Sequence, residues 1–581
     1  MFFGELVKAY HEFEEKNEIS IAWNSVGKVY YGLDISDDGD VLQVISYVFE
    51  KKPKIMHVPA TLGKETSGIS DKYIYGSTKY MLGYSVEGKD RKLVICDDVF
   101  KHSKEFHELL LGKVDSQCAK AILNYFKKYS DNLMELCQLI SWETNKEYDK
   151  SYFILCYKGY PVTDYPEIRN TWENYFETLI NTSSGYVARS LISGKEGPIA
   201  RTHNSISGAG GTNPSIISYN ASAFESYRLE QSFNAAITIK EALQYCAALN
   251  YMLNKEEYHC YMSGTAVVLW AEHTEEIYSK IGKLFFINND QNGFSQEDLK
   301  EIMEKIRLGK RVDLGSSCIE PSEKFYIAGL LANGGRLQMT FYLENTFGNF
   351  IENLDKHYNR MALNDEYAKP LSPYQIVQET VRDMDQLDKR LKEALLNSVL
   401  SDSKYPREIY TGVINQIIKA HKKEKEKHFN KVPVRKAQII KMFLLKNTKI
   451  DKEVLSMELN KNAPNIGYQC GRLFAVIEKI QKDATNVDNL ASRNFNSVMT
   501  TPANAFAKVL RQNQYYMKKL SPGMEIVYDR MIGEVMANIK EFPNHLTQIE
   551  QGCFCLGYYH QKKELYTSKE EKEMRDEYAE N

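Results

Sequence analysis

KFYIAGLLANGGRLQMTFYLE, residues 324–344, is the stretch on which the division of this chain turns. Two strand-like runs are joined by Asn333-Gly334-Gly335, and Asn-Gly pairs favour the positive φ angles that a tight hairpin requires. Everything before this hairpin mixes strands with helices. Leu6, Val7, Tyr10 and Phe13 form one face of an opening helix. The runs KVYYGLDI, DVLQVISYVF and KLVICDDVF follow, separated by Asp/Gly turns such as 36–40. From Asp115, a suitable cap, DSQCAKAILNYFKKYSDNLMELCQLIS has helical period. Strands return with SYFILCYKGYPV and TAVVLWAEH.

Beyond residue 365 the composition changes. Pro370 and Pro373 punctuate the chain, and almost every later segment has the helical repeat. Thr501-Pro502 and Ser521-Pro522 each set a cap residue before a proline fitted to the first turn. In the second of these helices Met524, Tyr528, Met531, Val535 and Ile539 share a face. The expected class is α+β. A mixed α/β amino-terminal and central region (1–365) precedes a carboxyl-terminal helical bundle (374–560) and a charged tail (561–581).

The 581 residues exceed one ordinary core, and the 43% hydrophobic and 26% charged fractions are those of a globular chain. No run of eighteen apolar residues suggests a membrane span. The opening MFFGELVKAYHEFEEKNE lacks the basic flank and cleavage site of a secretory signal. Ten cysteines without a CxxC pair fit a reduced, cytoplasmic compartment. The net charge of −3 hides an asymmetry: between Lys404 and Lys449, thirteen Lys or Arg face three Glu, a local +10, leaving −13 elsewhere. Such a block fits either a polyanion partner or a solvated helix end.

Residues 195–234, KEGPIARTHNSISGAGGTNPSIISYNASAFESYRLEQSFN, set Lys195, Arg201, His203 and Asn204 beside a loop rich in small residues. Small residues let backbone amides approach a phosphate, and Arg, His and Asn reach phosphates or base edges. A long polar surface loop is the competing reading. Gly208-Ala-Gly-Gly211 is no Walker loop, because no Lys-Ser/Thr pair follows it. No second His or carboxylate cluster accompanies His203 to make a nuclease centre. His259-Cys260, Cys553/Cys555 and Asp97-Asp98 each fall short of a metal set. We expect no catalytic residues, no metal and no cofactor, hence a binding role and not an enzyme.

Arg201-Thr-His-Asn-Ser, SYNASAFESYRLEQSFNAAI and NAAITIKEALQYCAALNYML resemble the central signature of the Csd-type large subunit of the type I-C CRISPR surveillance complex, Cascade. The resemblance continues through residues 311–350, through GYQCGRLFAVIEKIQKDA, TTPANAFAKVL and QIEQGCFCLGYYHQKKELY, and near the start in SGISDKYIYGSTKYMLGY. The pair at Gly76-Ser77 is usually Asp-Asn in that family, ahead of a tyrosine that is Tyr80 here.

The resemblance implies a protein that reads the short tag beside the DNA target (the PAM) while guide RNA pairing reads the target itself. Lys72 and Lys79 would then contact phosphates, with Ser77 at a base edge. Lys419, Lys422, Lys423, Lys425, Lys427, Lys431, Arg435 and Lys436 would track a displaced DNA strand or border a subunit. Implied partners are the guide RNA near its 5′ handle, double-stranded target DNA, the displaced single strand, the backbone and handle-binding subunits, a small helical subunit and a helicase-nuclease, with no membrane. The small subunit can be made in this family from the large subunit's own carboxyl end, which marks Met457 as an internal start for 457–581. Lys452-Glu453-Val454 can be encoded as AAG-GAG-GTN, a ribosome-binding purine run, although synonymous codons need not spell it. The rival readings are a stand-alone metal-dependent nuclease and a scaffold that reads no PAM.

Overall fold

The computed structural model describes residues 2–62, 68–87, 92–139, 148, 151–183, 185–212, 214–219, 221–262, 264–284, 312–314, 317–383, 388–420, 430–450, 452–487 and 489–567. Its helices and several small sheets are of the α+β class, with strands before residue 347 and helices after it. The chain divides into two compact units, residues 1–283 with 324–344, and residues 284–323 with 345–581.

In the first unit the hairpin is present: strands Lys324–Asn333 and Arg336–Thr346 neighbour one another, with Gly334 at φ +59° in the turn. Lys324–Asn333 pairs antiparallel with Thr265–Ala271, which is buried at all seven positions, and His259–Met262 completes the four-stranded order. Helix Ile239–Asn254 packs on the opening helix Phe2–Glu15, whose buried face contains Leu6, Tyr10 and Phe13. A capping box between Thr238 and Glu241 fixes the start of the later helix.

A second sheet in this unit is mixed. Tyr31–Ile35 pairs parallel with Tyr152–Tyr157 and antiparallel with Val41–Ser46, and the short strand Tyr75–Ser77 adds to the edge of Tyr152–Tyr157. One expectation changes here. The cap of helix Gln117–Ser130 is Ser116, whose hydroxyl accepts from the Ala119 amide at 3.4 Å, while Asp115 pairs with Lys120 instead. Asp97 and Asp98 open helix Asp97–Leu111, where carboxylates complement the positive end of the helix dipole.

The second unit is a bundle centred on the parallel contact of Ile466–Thr485 with Gln548–Tyr566, in which Gly467 lies against Glu550 at one end and Lys482 donates to the Tyr566 hydroxyl at the other. Glycines let these backbones touch. A methyl placed on Gly471 meets the Phe554 carbonyl oxygen at 2.0 Å, and one on Gly557 meets that of Tyr468 at 2.0 Å. Phe474, Phe495, Phe554 and Tyr558 cluster beside this seam. The charged tail expected from residue 561 begins later: the helix runs to Tyr566, because Gln561 is buried and accepts a hydrogen bond from Arg472 Nε at 3.0 Å.

Candidate nucleic-acid interface

Segment 68–82 presents the loop that carries Lys72, Ser77 and Lys79. Its anchor is His107, buried on helix Asp97–Leu111. The Ile74 amide donates to His107 Nε2 at 3.0 Å, so Nδ1 carries the proton and donates to the Ser103 carbonyl at 2.6 Å. Burial lowers the His107 pKa to about 4, and the ring stays neutral. Ile74 itself sits at φ +49°, a conformation that a β-branched side chain resists. Leu155 donates its amide to the Ile74 carbonyl at 3.0 Å, fixing this turn to the mixed sheet.

Beyond the anchor, Tyr80 is buried and its hydroxyl accepts from the Ser70 amide at 3.1 Å. The Lys79 and Lys72 ammonium groups lie 4.8 and 6.0 Å from its ring centroid. Two cations therefore gather around one ring, with half-exposed Ser77 next to them at the start of the short helix Thr78–Met81. Ser77 makes no capping hydrogen bond to that helix. A methyl on Gly76 meets Tyr80 Cβ at 3.1 Å, so a side chain here requires the tyrosine to shift slightly.

The 195–234 segment separates its candidates. Lys195 is exposed, and Arg201 is exposed with its Nε donating to Gln231 Oε1 at 2.9 Å. Asn204 is half-buried and donates from Nδ2 to the Thr61 carbonyl at 3.1 Å. His203 corrects the expectation of a side chain on the open surface. It is 2% exposed, stacks on Tyr245 and shares a 2.7 Å hydrogen bond between Nδ1 and the tyrosine hydroxyl. Burial brings its pKa to about 4.

A cleft of about 450 Å³ opens between Arg201, His203, Ser215, Gln231 and Arg336. Ser215 and Arg336 were not apparent as site residues in the sequence. They are adjacent only because residue 215 bridges to residue 336 alongside the hairpin.

The basic block is partly structural. Lys422, Lys423, Lys425 and Lys427 lie outside the described residues. Lys419 is exposed at the end of helix Arg407–Lys419. Lys431 is not on that surface. It is 1% exposed, donates to the Ala420 carbonyl at 2.6 Å and lies 5.5 Å from the Phe495 ring centroid. Its ammonium thus satisfies carbonyls at a helix carboxyl end, where partial negative charge collects. Burial lowers its pKa to about 8. Lys436 is paired with the Glu379 carboxylate and is mostly buried, while Arg435 remains half-exposed 3.9 Å from the same group.

Among the described residues no group of three or more His, Cys, Asp or Glu side chains is placed to hold a metal ion. His259 Nδ1 lies within hydrogen-bonding distance of the Met252 and Lys255 carbonyls. Among the described residues no helix is long and apolar enough to cross a membrane.

Comparison with known proteins agrees with the motif resemblance. The CRISPR-associated protein family Cas_Csd1 matches residues 6–566, and the chain belongs to that family. A comparison with curated proteins finds no match.

Proposed function

We propose that this chain is the non-catalytic large subunit of a type I-C CRISPR RNA-guided DNA surveillance complex in the cytoplasm. In this reading it recognises the PAM, helps to open the duplex, holds the displaced strand and supports recruitment of a separate helicase-nuclease. Its other partners are the guide RNA near the 5′ handle, the backbone and handle-binding subunits, and a small helical subunit.

The observation that carries the reading, within a match spanning nearly the whole chain, is the segment 72–80. Two lysines gather at Tyr80 beside Ser77 on a turn anchored by His107. Cations fix position on phosphates and a small hydroxyl reads a base edge, which is the division of labour a tag reader needs.

The test is binding of duplexes with randomised PAM by the reconstituted complex. Loss of PAM discrimination in Ser77→Ala, with target pairing intact, supports the reading. Unchanged ranking in both Ser77→Ala and Lys79→Ala assigns PAM reading to another subunit and leaves this chain a scaffold.

A further inference from the structure

The cleft beside Arg201 has a floor that the protein does not satisfy. His203 Nε2 and Ser215 Oγ are both buried without a hydrogen-bond partner, on residues each 2% exposed. Unpaired buried polar atoms are costly, and two of them lining one open cleft of about 450 Å³ point to something that enters it. The hydroxyl of Ser215 is a donor. When Tyr245 donates its own proton to Nδ1 of neutral His203, Nε2 carries a proton and becomes a second donor. Two guanidiniums, from Arg201 and Arg336, stand in the walls. A cleft lined in this way selects a ligand that is anionic and rich in acceptors.

A separate feature lies on the same loop. Tyr227 is 95% exposed, and Arg228 beside it is exposed too. Both hold positive φ, at +52° and +63°, in a turn closed by an antiparallel bridge between Ser226 and Leu229. Asn234 ties that turn down: its Oδ1 accepts from the Ser226 amide at 3.1 Å and hydroxyl at 2.6 Å, and its Nδ2 donates to the Leu229 carbonyl at 2.8 Å. The turn runs directly into Gln231 of the cleft wall, and Arg336 stacks 4.8 Å above the Phe224 ring at the turn's other end. A large aromatic held out to solvent by such a network costs ordering energy without burying apolar surface. It is poised for an external ring to stack on it.

We propose that the cleft takes one unstacked nucleotide of a single strand. Its phosphate lies against Arg201 and Arg336, its base carbonyl faces His203 and Ser215, and a neighbouring base stacks on Tyr227. The inference rests on the nucleic-acid role proposed above and adds a second contact point, separate from the 72–80 turn. An RNA end and a displaced DNA strand present the same chemistry, differing at the 2′-hydroxyl.

The test is fluorescence anisotropy of the purified full-length chain with fluorescein-labelled decauridylate and decathymidylate, together with ultraviolet cross-linking of their 4-thio analogues. Tyr227→Ala and Arg336→Gln are each expected to weaken binding by at least about fivefold. Melting of Tyr227→Ala should be unchanged, and cross-links should fall within residues 215–231. Tighter decauridylate binding identifies the guide RNA as the source, and tighter decathymidylate binding the displaced strand. Wild-type affinity in both variants, cross-links elsewhere, or no binding of either oligomer overturns the proposal and leaves an ordered water shared by His203 and Ser215. The PAM-binding test on the reconstituted complex is read separately, so failure here does not sink that role.

Discussion

Ile74 and His107 show how much of the amino-terminal turn depends on one imidazole. Removing the acceptor leaves a buried amide unpaired beneath a backbone already at positive φ. His107→Phe is expected to cost about 1–3 kcal/mol in chemical denaturation and to weaken duplex binding without favouring any PAM. Lys79→Ala should lower affinity for all duplexes and flatten its salt dependence, whereas Ser77→Ala should change ranking. Identical behaviour of these two across PAM variants would refute the assigned roles. Motif resemblance singles out Lys72, Ser77 and Lys79, and the structure gathers the two lysines at the Tyr80 ring. His203 and Lys431 were not legible as buried groups, because direction is set by partners distant in sequence, Tyr245 for one and the Ala420 carbonyl for the other. Tyr227 carries no local signature that would set it apart among 39 tyrosines.

At the scale of elements, the contact of Ile466–Thr485 with Gln548–Tyr566 dominates the second unit. Gly471→Ala or Gly557→Ala forces a methyl onto a carbonyl oxygen of the facing helix and should destabilise by about 1–3 kcal/mol or more, read from the urea midpoint. Both helices lie after Met457, and Tyr558 adds a 2.7 Å hydrogen bond to Glu478 within the same segment. We propose that translation from Met457 yields a second, short protein that keeps this helix pair, with the face that meets Val434–Asn447 and Tyr410 left open. In Met457→Ala, with the full-length chain preserved, the short species should vanish from mass spectra of the purified complex; its absence from the wild type would end the idea. A helix buried at every position from Gly552 to Gln561 has no polar stripe to betray its partners. Sequence therefore indicated that it is a helix, not what surrounds it.

For the whole molecule, sensitivity to acid follows from histidines held neutral. Burial lowers His107 and His203 to about 4, and His357 and His560 to about 3. The unfolded chain takes up these protons near pH 6.5, so the folded state keeps full stability above that value. Stability is then lost as pH falls from 6.5 towards 4. The urea midpoint at pH 5 should lie below that at pH 7.5, and equal midpoints would contradict the buried, uncharged assignments. The shift from mixed α/β to helices was visible in the sequence because hairpin turns and proline caps are local signals. The unit boundaries were not, since residues 324–344 join the first unit while 284–323 join the second. That interleaving is a property of tertiary contact, which no local pattern encodes.

The position of Gln548–Tyr566 also bears on how the protein is made. This helix packs against Val434–Asn447, Ile466–Thr485 and Leu490–Thr500, and Gly552 lies against Tyr410, yet it is the last of the described helices to leave the ribosome. At bacterial synthesis rates the interval after Arg407–Lys419 emerges is on the order of ten seconds. Throughout it the apolar surfaces that meet this helix stand uncovered. The carboxyl-terminal unit therefore completes its core only once Gln548–Tyr566 has emerged. Any nascent chain that stalls before residue 548 is a natural client for chaperones and proteases.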